Sequence, residues 1–319
     1  MTALSYFSGK RVAVLGATGL IGSYTVKLLA EAGADVKAVG HRRPPNDYTE
    51  MASRRQSFNL SIPEQAARAV SDCEIVVCCA GITGGIGLAH SDPLGYVGPA
   101  TALACNVIHA CHLAKARLGF LSSTTVYAPM STPSVEEDPL TEPPFPLYAG
   151  IGHSKRFLEK LCWYYHEKAG LEVAIVRPSG AYGRYDNFED TGHVIPMLLT
   201  RALALAPGEP FEVWGDGLDV RDFVHASDVA ECFLLAMAKS SNADPFNVAS
   251  GEPTTTAKLA EAVLAAVGSN AKIQFRPDKP TALRSRTVSI EKARHVLGYA
   301  PRISLADGLR DTIEWKKPL

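Results

Sequence analysis

Two hydrophobic patterns, one typical of strands and one of helices, alternate along residues 1–177. Short apolar runs with β propensity alternate with stretches whose apolar positions recur at helical spacing. The runs predict strands at 12–15, 35–39, 58–60, 74–79, 119–122 and 173–176. The helical stretches between them are 23–32, 62–70, 99–116 and 153–169. Strands that alternate with helices at this spacing predict an α/β fold with a parallel, doubly wound sheet and right-handed crossovers.

The pattern changes after about Pro178. Glycine and proline become frequent, and the loops lengthen. Helices are predicted at 194–206, 226–238, 256–267 and 305–315, with short strands at 211–214 and 273–275. We therefore expect residues 178–319 to form mostly a smaller lobe across the mouth of the first domain, with some segments returning to that domain.

Composition excludes several classes of partner. The chain has 319 residues, of which 46% are apolar and 20% charged, and its formal net charge is −1. These values are ordinary for a soluble globular protein, and they offer no basic surface for nucleic acid or an anionic membrane. Residues 1–10 contain no apolar core, and no run is expected to span a membrane. We therefore expect a cytoplasmic protein.

The cysteines lie mostly in apolar runs and form no C-x-x-C pair. This pattern is typical of small core residues in a reducing compartment, so neither disulfides nor a metal site is expected. The seven are Cys73, Cys78, Cys79, Cys105, Cys111, Cys162 and Cys232.

A glycine-rich turn joins the first predicted strand to the first predicted helix in the sequence RVAVLGATGLIG. Gly16 permits the sharp turn, Gly19 lets phosphate oxygens reach backbone N–H groups, and Gly22 lets the helix pack on the sheet. The buried strand before these glycines and the amphipathic helix after them indicate a dinucleotide site rather than a ligand-free turn.

The residues after the second predicted strand indicate which dinucleotide is bound. In dinucleotide-binding folds an acidic residue about twenty positions beyond the glycines accepts the ribose 2′-hydroxyl of NAD. Here Gly40 is followed by His41, Arg42 and Arg43, with no acid. Arginines would pair with a 2′-phosphate that a carboxylate would repel, so NADP(H) is expected in preference to NAD(H). The alternative is a solvated basic loop that happens to follow a strand.

With these motifs the chain resembles the extended short-chain dehydrogenase/reductase family of nucleotide-sugar epimerases, reductases and dehydratases. The resemblance covers almost the whole length. It rests on GATGLIG, SSTTVY at 122–127, HSK at 153–155, RPSGAYG at 177–183 and VWGDGLDVRDFVHASDVA at 213–230. Within the family the chain is most similar to the GDP-fucose synthase branch, through GGI at 84–86, NVIHA at 106–110 and YGRYDNFEDTGHVIP at 182–196.

The resemblance implies a Rossmann domain at 1–177 that binds NADP(H) and a C-terminal α/β lobe at 178–319 that mostly binds a nucleotide-diphosphate sugar. The cofactor would be held by the glycine turn, the basic loop and the ends of neighbouring strands. The residues implied are Gly16, Thr18, Gly19, Leu20, Ile21, Gly22, His41, Arg42, Arg43, Asn59, Leu60, Ala80, Gly81, Ser122, Lys155, Pro178 and Ala181.

The resemblance also implies a catalytic set of Ser123, with Thr124 beside it, Lys155 and a tyrosine. The family's tyrosine stands one helical turn before the lysine, where this chain has Ile151, which can donate no proton. Tyr148 is about 10.5 Å from Lys155 along a continuous helix, so it could serve if the sequence GIGH at 150–153 is a loop. Otherwise His153 or a water donates the proton, or the chain has no direct equivalent of the family's tyrosine.

Other positions decide between reduction and epimerisation. His193 matches the branch's histidine, but the branch's cysteine is replaced by Thr125, whose hydroxyl is too weak an acid or base to remove a proton beside a carbonyl. Arg221 matches a family arginine that binds the substrate phosphates, and Arg284 and Arg286 are candidates for a second clamp. Asn187 and Trp214 complete the implied substrate contacts.

These observations favour an NADP(H)-dependent oxidoreductase that reduces a 4-keto-6-deoxyhexose on a nucleotide diphosphate. Two alternatives remain: an epimerase that recycles its cofactor, and a cofactor-binding protein that has lost catalysis. Apolar residues on more than one face of two helices, together with the resemblance, predict a homodimer. These residues are Leu103, Val107, Leu113, Phe157, Leu161, Trp163 and Tyr164.

Overall fold

The computed structural model describes residues 3–82, 92, 94–189, 192–279, 281 and 283–316. The branch-like segment 84–86 lies outside the described residues. The helices are α1 (Leu20–Glu31), α2 (Pro63–Val70), α3 (Val97–Ala114), α4 (Ala149–Ala169), α5 (Val194–Ala204), α6 (Ala226–Lys239), α7 (Thr256–Val267) and α8 (Leu305–Lys316). The strands are β1 (Arg11–Leu15), β2 (Asp35–Gly40), β3 (Arg54–Ser57), β4 (Ile75–Cys78), β5 (Arg117–Leu121), β6 (Val173–Pro178), β7 (Gly180–Tyr182), β8 (Phe211–Trp214), β9 (Val220–Arg221), β10 (Phe223–His225), β11 (Asn242–Val248), β12 (Thr254–Thr255), β13 (Ile273–Arg276) and β14 (Ser285–Arg286).

A seven-stranded parallel sheet in the order β11-β6-β5-β4-β1-β2-β3 forms the centre of the molecule. Its inner strands β4 and β6 are buried along their whole length, as expected when helices cover both faces. The fold class is thereby confirmed as a Rossmann, doubly wound α/β sheet. Because the strands are parallel, their carboxyl ends meet at one edge, where the candidate site lies.

Two apolar cores flank the sheet. On one face α1 and α6 pack through residues such as Val26 and Phe233, and on the other α2, α3 and α4 pack through residues such as Ala66 and Leu158. Val107, one of the apolar residues on which the predicted dimer contact rests, is fully buried in the second core. By length and composition alone α3 could cross a membrane, contrary to the sequence-based expectation, but its buried residues pack in this core.

Two strands of the sheet differ from the sequence prediction. The third strand is 54–57, not 58–60. Hydrophobic periodicity misses it because RRQS is exposed at every position and shows no apolar pattern. Strand β11 was not predicted: it contains Asp244 and Pro245, and its register shifts between Asn242 and Pro245. With α6, this strand brings part of the C-terminal half back to the first domain.

The second lobe has its own core, formed by α5, α7, α8 and the parallel pair β8–β13. Beside it a small sheet joins β12, β9 and β14. In that sheet β14 pairs in parallel with β9, so that Arg286 lies opposite Arg221. Pairing of two-residue strands therefore sets the geometry of the candidate phosphate site.

The start of α4 corrects another expectation. The sequence GIGH is helical, since α4 begins at Ala149 and runs without a break to Ala169. Gly152 is required there because a Cβ would lie 2.6 Å from the carbonyl oxygen of Thr125 and 2.7 Å from Pro144. This glycine therefore lets the helix approach Thr125 and Pro144 closely, and it does not unwind the helix.

Candidate active site

The glycine turn has the shape that a dinucleotide phosphate requires. Gly16 adopts φ +76°, and a Cβ there would lie 2.7 Å from the Cα of Ala80. A Cβ on Gly22 would collide with the Gly16 carbonyl oxygen. Helix α1 begins at Leu20, and its cap Gly19 has no side chain to accept the first N–H groups. These N–H groups and the helix dipole fit an anion such as a pyrophosphate.

The basic loop after β2 lies beside this turn. A Cβ on Gly40 would lie 3.2 Å from the Thr18 side chain, so the two segments touch. His41, Arg42 and Arg43 are exposed. The Arg43 Nη1 donates a hydrogen bond of 2.9 Å to the carbonyl oxygen of Tyr185, far along the chain. Arg43 is therefore already bound to protein, whereas Arg42 has no hydrogen-bond partner among the described residues.

Other predicted cofactor residues lie near the carboxyl ends of the strands. Ala80 follows β4 and faces Gly16. Leu60 is buried, and its carbonyl oxygen accepts a hydrogen bond from Asn106. The Asn59 N–H donates to Gln65. Pro178 ends β6, Ala181 lies in β7, and Gly81 is exposed after β4.

Lys155 lies below the carboxyl end of β5. Its Nζ donates a 2.7 Å hydrogen bond to the carbonyl oxygen of Leu121 and stands 5.0 Å from the centre of the Phe120 ring. Burial lowers the pKa of Lys155. The hydroxyl of Ser122, in contrast, is buried and donates to Glu159 at 2.5 Å, so this side chain is occupied by the protein itself.

The hydroxyls after β5 face different directions. Ser123 Oγ accepts a hydrogen bond from the N–H of Thr125 and is partly accessible. Thr124 is only 2% exposed, which removes it as a group that reaches substrate. Thr125 lines a small cavity, and its buried Oγ1 has no partner among the described residues. Ser123 and Thr125 therefore remain candidates for substrate contact.

Tyr148 lies at the N-cap of α4 and lines the same cavity as Thr125. The Arg286 guanidinium stacks over its ring at 5.1 Å. Ile151 is half-buried one turn before Lys155, and His153 is exposed to solvent. Tyr148 thus lines this cavity although GIGH is helical, whereas His153, Ser123 and Lys155 are not among the residues that line it.

Two largely buried arginines lie side by side, and one of them, Arg286, lines the cavity. Arg286 is paired opposite Arg221, and the Nε and Nη1 of Arg286 have no partner among the described residues. Burial, with the charge of Arg286, lowers the pKa of Arg221 to about 10. Arg284 is exposed and bound to Asp216 at 2.8 Å, so of the two candidates for a second clamp it is Arg286 that lies beside Arg221.

His193 caps the start of α5 and is hydrogen-bonded to Asp186, with 3.1 Å between Nδ1 and Oδ1. Burial lowers the pKa of His193, but the hydrogen bond and charge of Asp186 outweigh it and hold the pKa above its usual value. Asn187 follows Asp186, and its side chain accepts the N–H of Glu189. Trp214 is partly exposed under the guanidinium of Arg201.

Sequence reasoning missed three features of this arrangement: the Asp186 carboxylate behind His193, the bond from Arg43 to Tyr185, and the choice of Arg286 over Arg284. The acid in YDNF at 185–188, seven residues before His193, was the available signal for the first. The other two depend on contacts between distant segments, for which the sequence carries no pattern.

Comparison with known proteins assigns the family. A family model described as "NAD dependent epimerase/dehydratase family" matches residues 12–249, which is most of the chain. The chain belongs to this family. The sequence-based resemblance to extended short-chain dehydrogenases/reductases is thereby confirmed, and the chain is a member of a family of enzymes.

Two curated relatives are similar over nearly the whole chain. "GDP-L-fucose synthase 1" of Arabidopsis thaliana is 29% identical, covering 96% of this chain and 92% of the relative. "dTDP-4-dehydro-6-deoxy-D-allose reductase" of a Streptomyces species is 28% identical, covering 97% of each. Among solved structures, a UDP-glucose 4-epimerase of Thermus thermophilus, in complex with NAD, superimposes with a TM-score of 0.80. It is 25% identical and covers 96% of this chain and 98% of that one.

Proposed function

We propose that this enzyme is an NADP(H)-dependent oxidoreductase that reduces a 4-keto-6-deoxyhexose carried on a nucleoside diphosphate. The arginine pair carries this proposal: Arg286 lines the cavity with Thr125 and Tyr148, and Arg221 lies against it, with no ion pair between either guanidinium and a described carboxylate. Two adjacent, largely buried guanidinium groups are costly unless a dianion binds them. A diphosphate meets that requirement.

The cofactor preference is proposed from the basic loop. Arg42 is exposed and free to bind a 2′-phosphate, and the loop carries no acid that would select the 2′-hydroxyl of NAD. The glycine turn fits the pyrophosphate of either dinucleotide. NADP(H) is therefore proposed first and NAD(H) second.

Each site residue has a task in the proposed reduction. The bound dihydronicotinamide would supply the hydride to the sugar carbonyl. Lys155 would hold the nicotinamide ribose, since its ammonium lies at the carboxyl end of β5. Ser123 would donate a hydrogen bond to the developing oxyanion, and Tyr148 would supply the proton that Ile151 cannot.

Reduction is favoured over epimerisation because one of the two acid–base partners is missing. His193 is present and is held by Asp186, but Thr125 stands where the branch has a cysteine. An alcohol with an ordinary pKa cannot remove a proton beside a carbonyl at a useful rate. An epimerase that recycles its cofactor, or a cofactor-binding protein without catalysis, is the second candidate, and Ile151 keeps the latter open.

The test is to follow NADPH absorbance with GDP-, dTDP- and UDP-linked 4-keto-6-deoxyhexoses as substrates. Reduction predicts one NADPH consumed for each sugar reduced. Conversion of sugar without net NADPH consumption would indicate internal recycling. Cofactor binding without turnover on any of these sugars would contradict both enzymatic proposals.

A further inference from the structure

Arg43 connects two parts of the site that are far apart in sequence. It lies in the loop after β2, where Asn46 fixes the chain to Ser23 of α1 by a 2.9 Å hydrogen bond. From this anchored loop the Arg43 guanidinium donates to the carbonyl oxygen of Tyr185 at 2.9 Å. The cofactor loop is therefore bound directly to the segment that carries the substrate-side residues.

The Tyr185 segment has an unfavourable backbone conformation. Tyr185 adopts φ +65°, a region that non-glycine residues rarely occupy, and it is only 7% exposed. Its ring packs between Tyr48 at 5.3 Å and Trp315 at 5.1 Å. A bond to the carbonyl of such a residue stabilises one orientation of the following peptide, and hence the position of Asp186.

Asp186 in turn orients His193 through a hydrogen bond to its imidazole. Its side chain is 3% exposed, its Oδ1 bonds the imidazole, and its Oδ2 has no partner among the described residues. The charged groups that act on the imidazole are Asp186, which favours the protonated form, and Arg286 and Arg43, which oppose it. Arg43 is thus connected to His193 through the Tyr185–Asp186 segment, and its charge opposes protonation of the imidazole.

We propose that Arg43 is a positioning residue that couples the cofactor loop to His193. It holds the Tyr185–Asp186 peptide in place, and an anion bound at the loop neutralises its charge and so strengthens proton binding by the imidazole. The anion part rests on the proposed function, because it takes the anion to be the 2′-phosphate of the dinucleotide. The positioning part concerns contacts of this chain alone and does not depend on any ligand.

The test is an NMR titration of the His193 imidazole in the ligand-free protein, assigned by comparison with His193→Gln. Arg43→Gln removes the opposing charge and should raise the His193 midpoint by about half a pH unit, the scale of one solvent-screened charge. Arg43→Lys keeps the charge but not the guanidinium hydrogen bond to Tyr185, so a midpoint below the wild-type value would report the loosened Asp186 contact, and an unchanged midpoint would overturn the positioning. Arg42→Gln is the matched control and should leave the midpoint of the ligand-free protein unchanged.

The effect of a bound anion on the His193 midpoint is tested with adenosine 2′,5′-bisphosphate as the probe. It should raise the His193 midpoint of the wild-type protein but not that of Arg43→Gln, and adenosine 5′-monophosphate should raise neither. An unchanged midpoint in Arg43→Gln, or an equal shift in Arg42→Gln, would overturn the coupling. If Arg43→Gln shifts the midpoint while the bisphosphate does not bind, the charge coupling of Arg43 to His193 stands and the proposed NADP(H) preference fails.

Discussion

Replacing Arg286 by methionine should make the free enzyme more stable and its nucleotide binding weaker. Arg286 is largely buried beside Arg221, and neither forms an ion pair with a carboxylate among the described residues. Methionine preserves much of the side-chain volume and can still pack on the Tyr148 ring. The substitution therefore removes a buried charge without opening a large cavity.

The size of the effect follows from the two arginines. The pKa of Arg221 is lowered to about 10, which corresponds to about 3 kcal/mol against its charged form. Part of that cost comes from burial and part from Arg286, and partial solvent access reduces it further. Adding the unpartnered N–H groups of Arg286, we expect a gain in unfolding free energy of about 1–3 kcal/mol. For a chain of this length that is a rise in Tm of a few degrees.

Binding should change in the opposite direction. A charge-assisted, bidentate contact to a diphosphate is worth about 1.5–3 kcal/mol, so the Kd for UDP or GDP should rise about 10- to 100-fold. Thermal unfolding with and without nucleotide measures stability, and calorimetry measures the Kd. Arg284→Met is the matched control: it breaks an exposed pair with Asp216, so both quantities should change little. A destabilised Arg286→Met protein with undiminished nucleotide binding would show that this guanidinium is structural.

Three further predictions concern the proton donor, the core and assembly. Tyr148→Phe should lower the rate of sugar reduction about 100-fold, and adding Ile151→Tyr should restore much of it; full activity of the single variant would exclude the phenol. Glu159→Gln should cost about 3–5 kcal/mol on denaturant unfolding, because it leaves the buried Arg177 without a carboxylate to balance its charge. Trp163, 46% exposed on α4, should lie in a dimer interface, so Trp163→Glu should give monomers in sedimentation, and a wild-type monomer would refute this.

The sequence predicts the fold wherever burial imposes an apolar pattern. Strands β4 and β6 are buried on both faces, and their apolar runs reveal them. The edge strand β3 gives no such signal, because all four of its side chains are exposed and polar. Strand β11, at the other edge, carries a proline and a register shift. Edge strands need not be apolar on both faces, so periodicity locates them poorly.

The residues of the candidate site also differ in how far the sequence could predict them. The glycine turn could be predicted because backbone geometry at Gly16 and Gly22 tolerates no side chain. Arg284 and Arg286 could not be distinguished, since they are two positions apart in one segment and chemically identical. Pairing of β14 with β9 decides between them by placing Arg286 against Arg221. That pairing joins strands of two residues each, too short to show any periodicity.

The proton donor shows how far a spacing argument extends. Seven residues of helix correspond to about 10.5 Å along its axis, a separation that would require an unwound GIGH sequence if Tyr148 lay within the helix. The helix is intact, yet Tyr148 lines the cavity with Thr125, because it stands at the N-cap, at the end of the short 3₁₀ turn Pro146–Tyr148 that precedes α4. Spacing constrains side chains within a helix and says nothing about the direction of a residue at its entrance. A phenol therefore lines the cavity with Thr125 and Arg286, and the Tyr148→Phe variant tests whether it replaces the tyrosine that the family has at position 151.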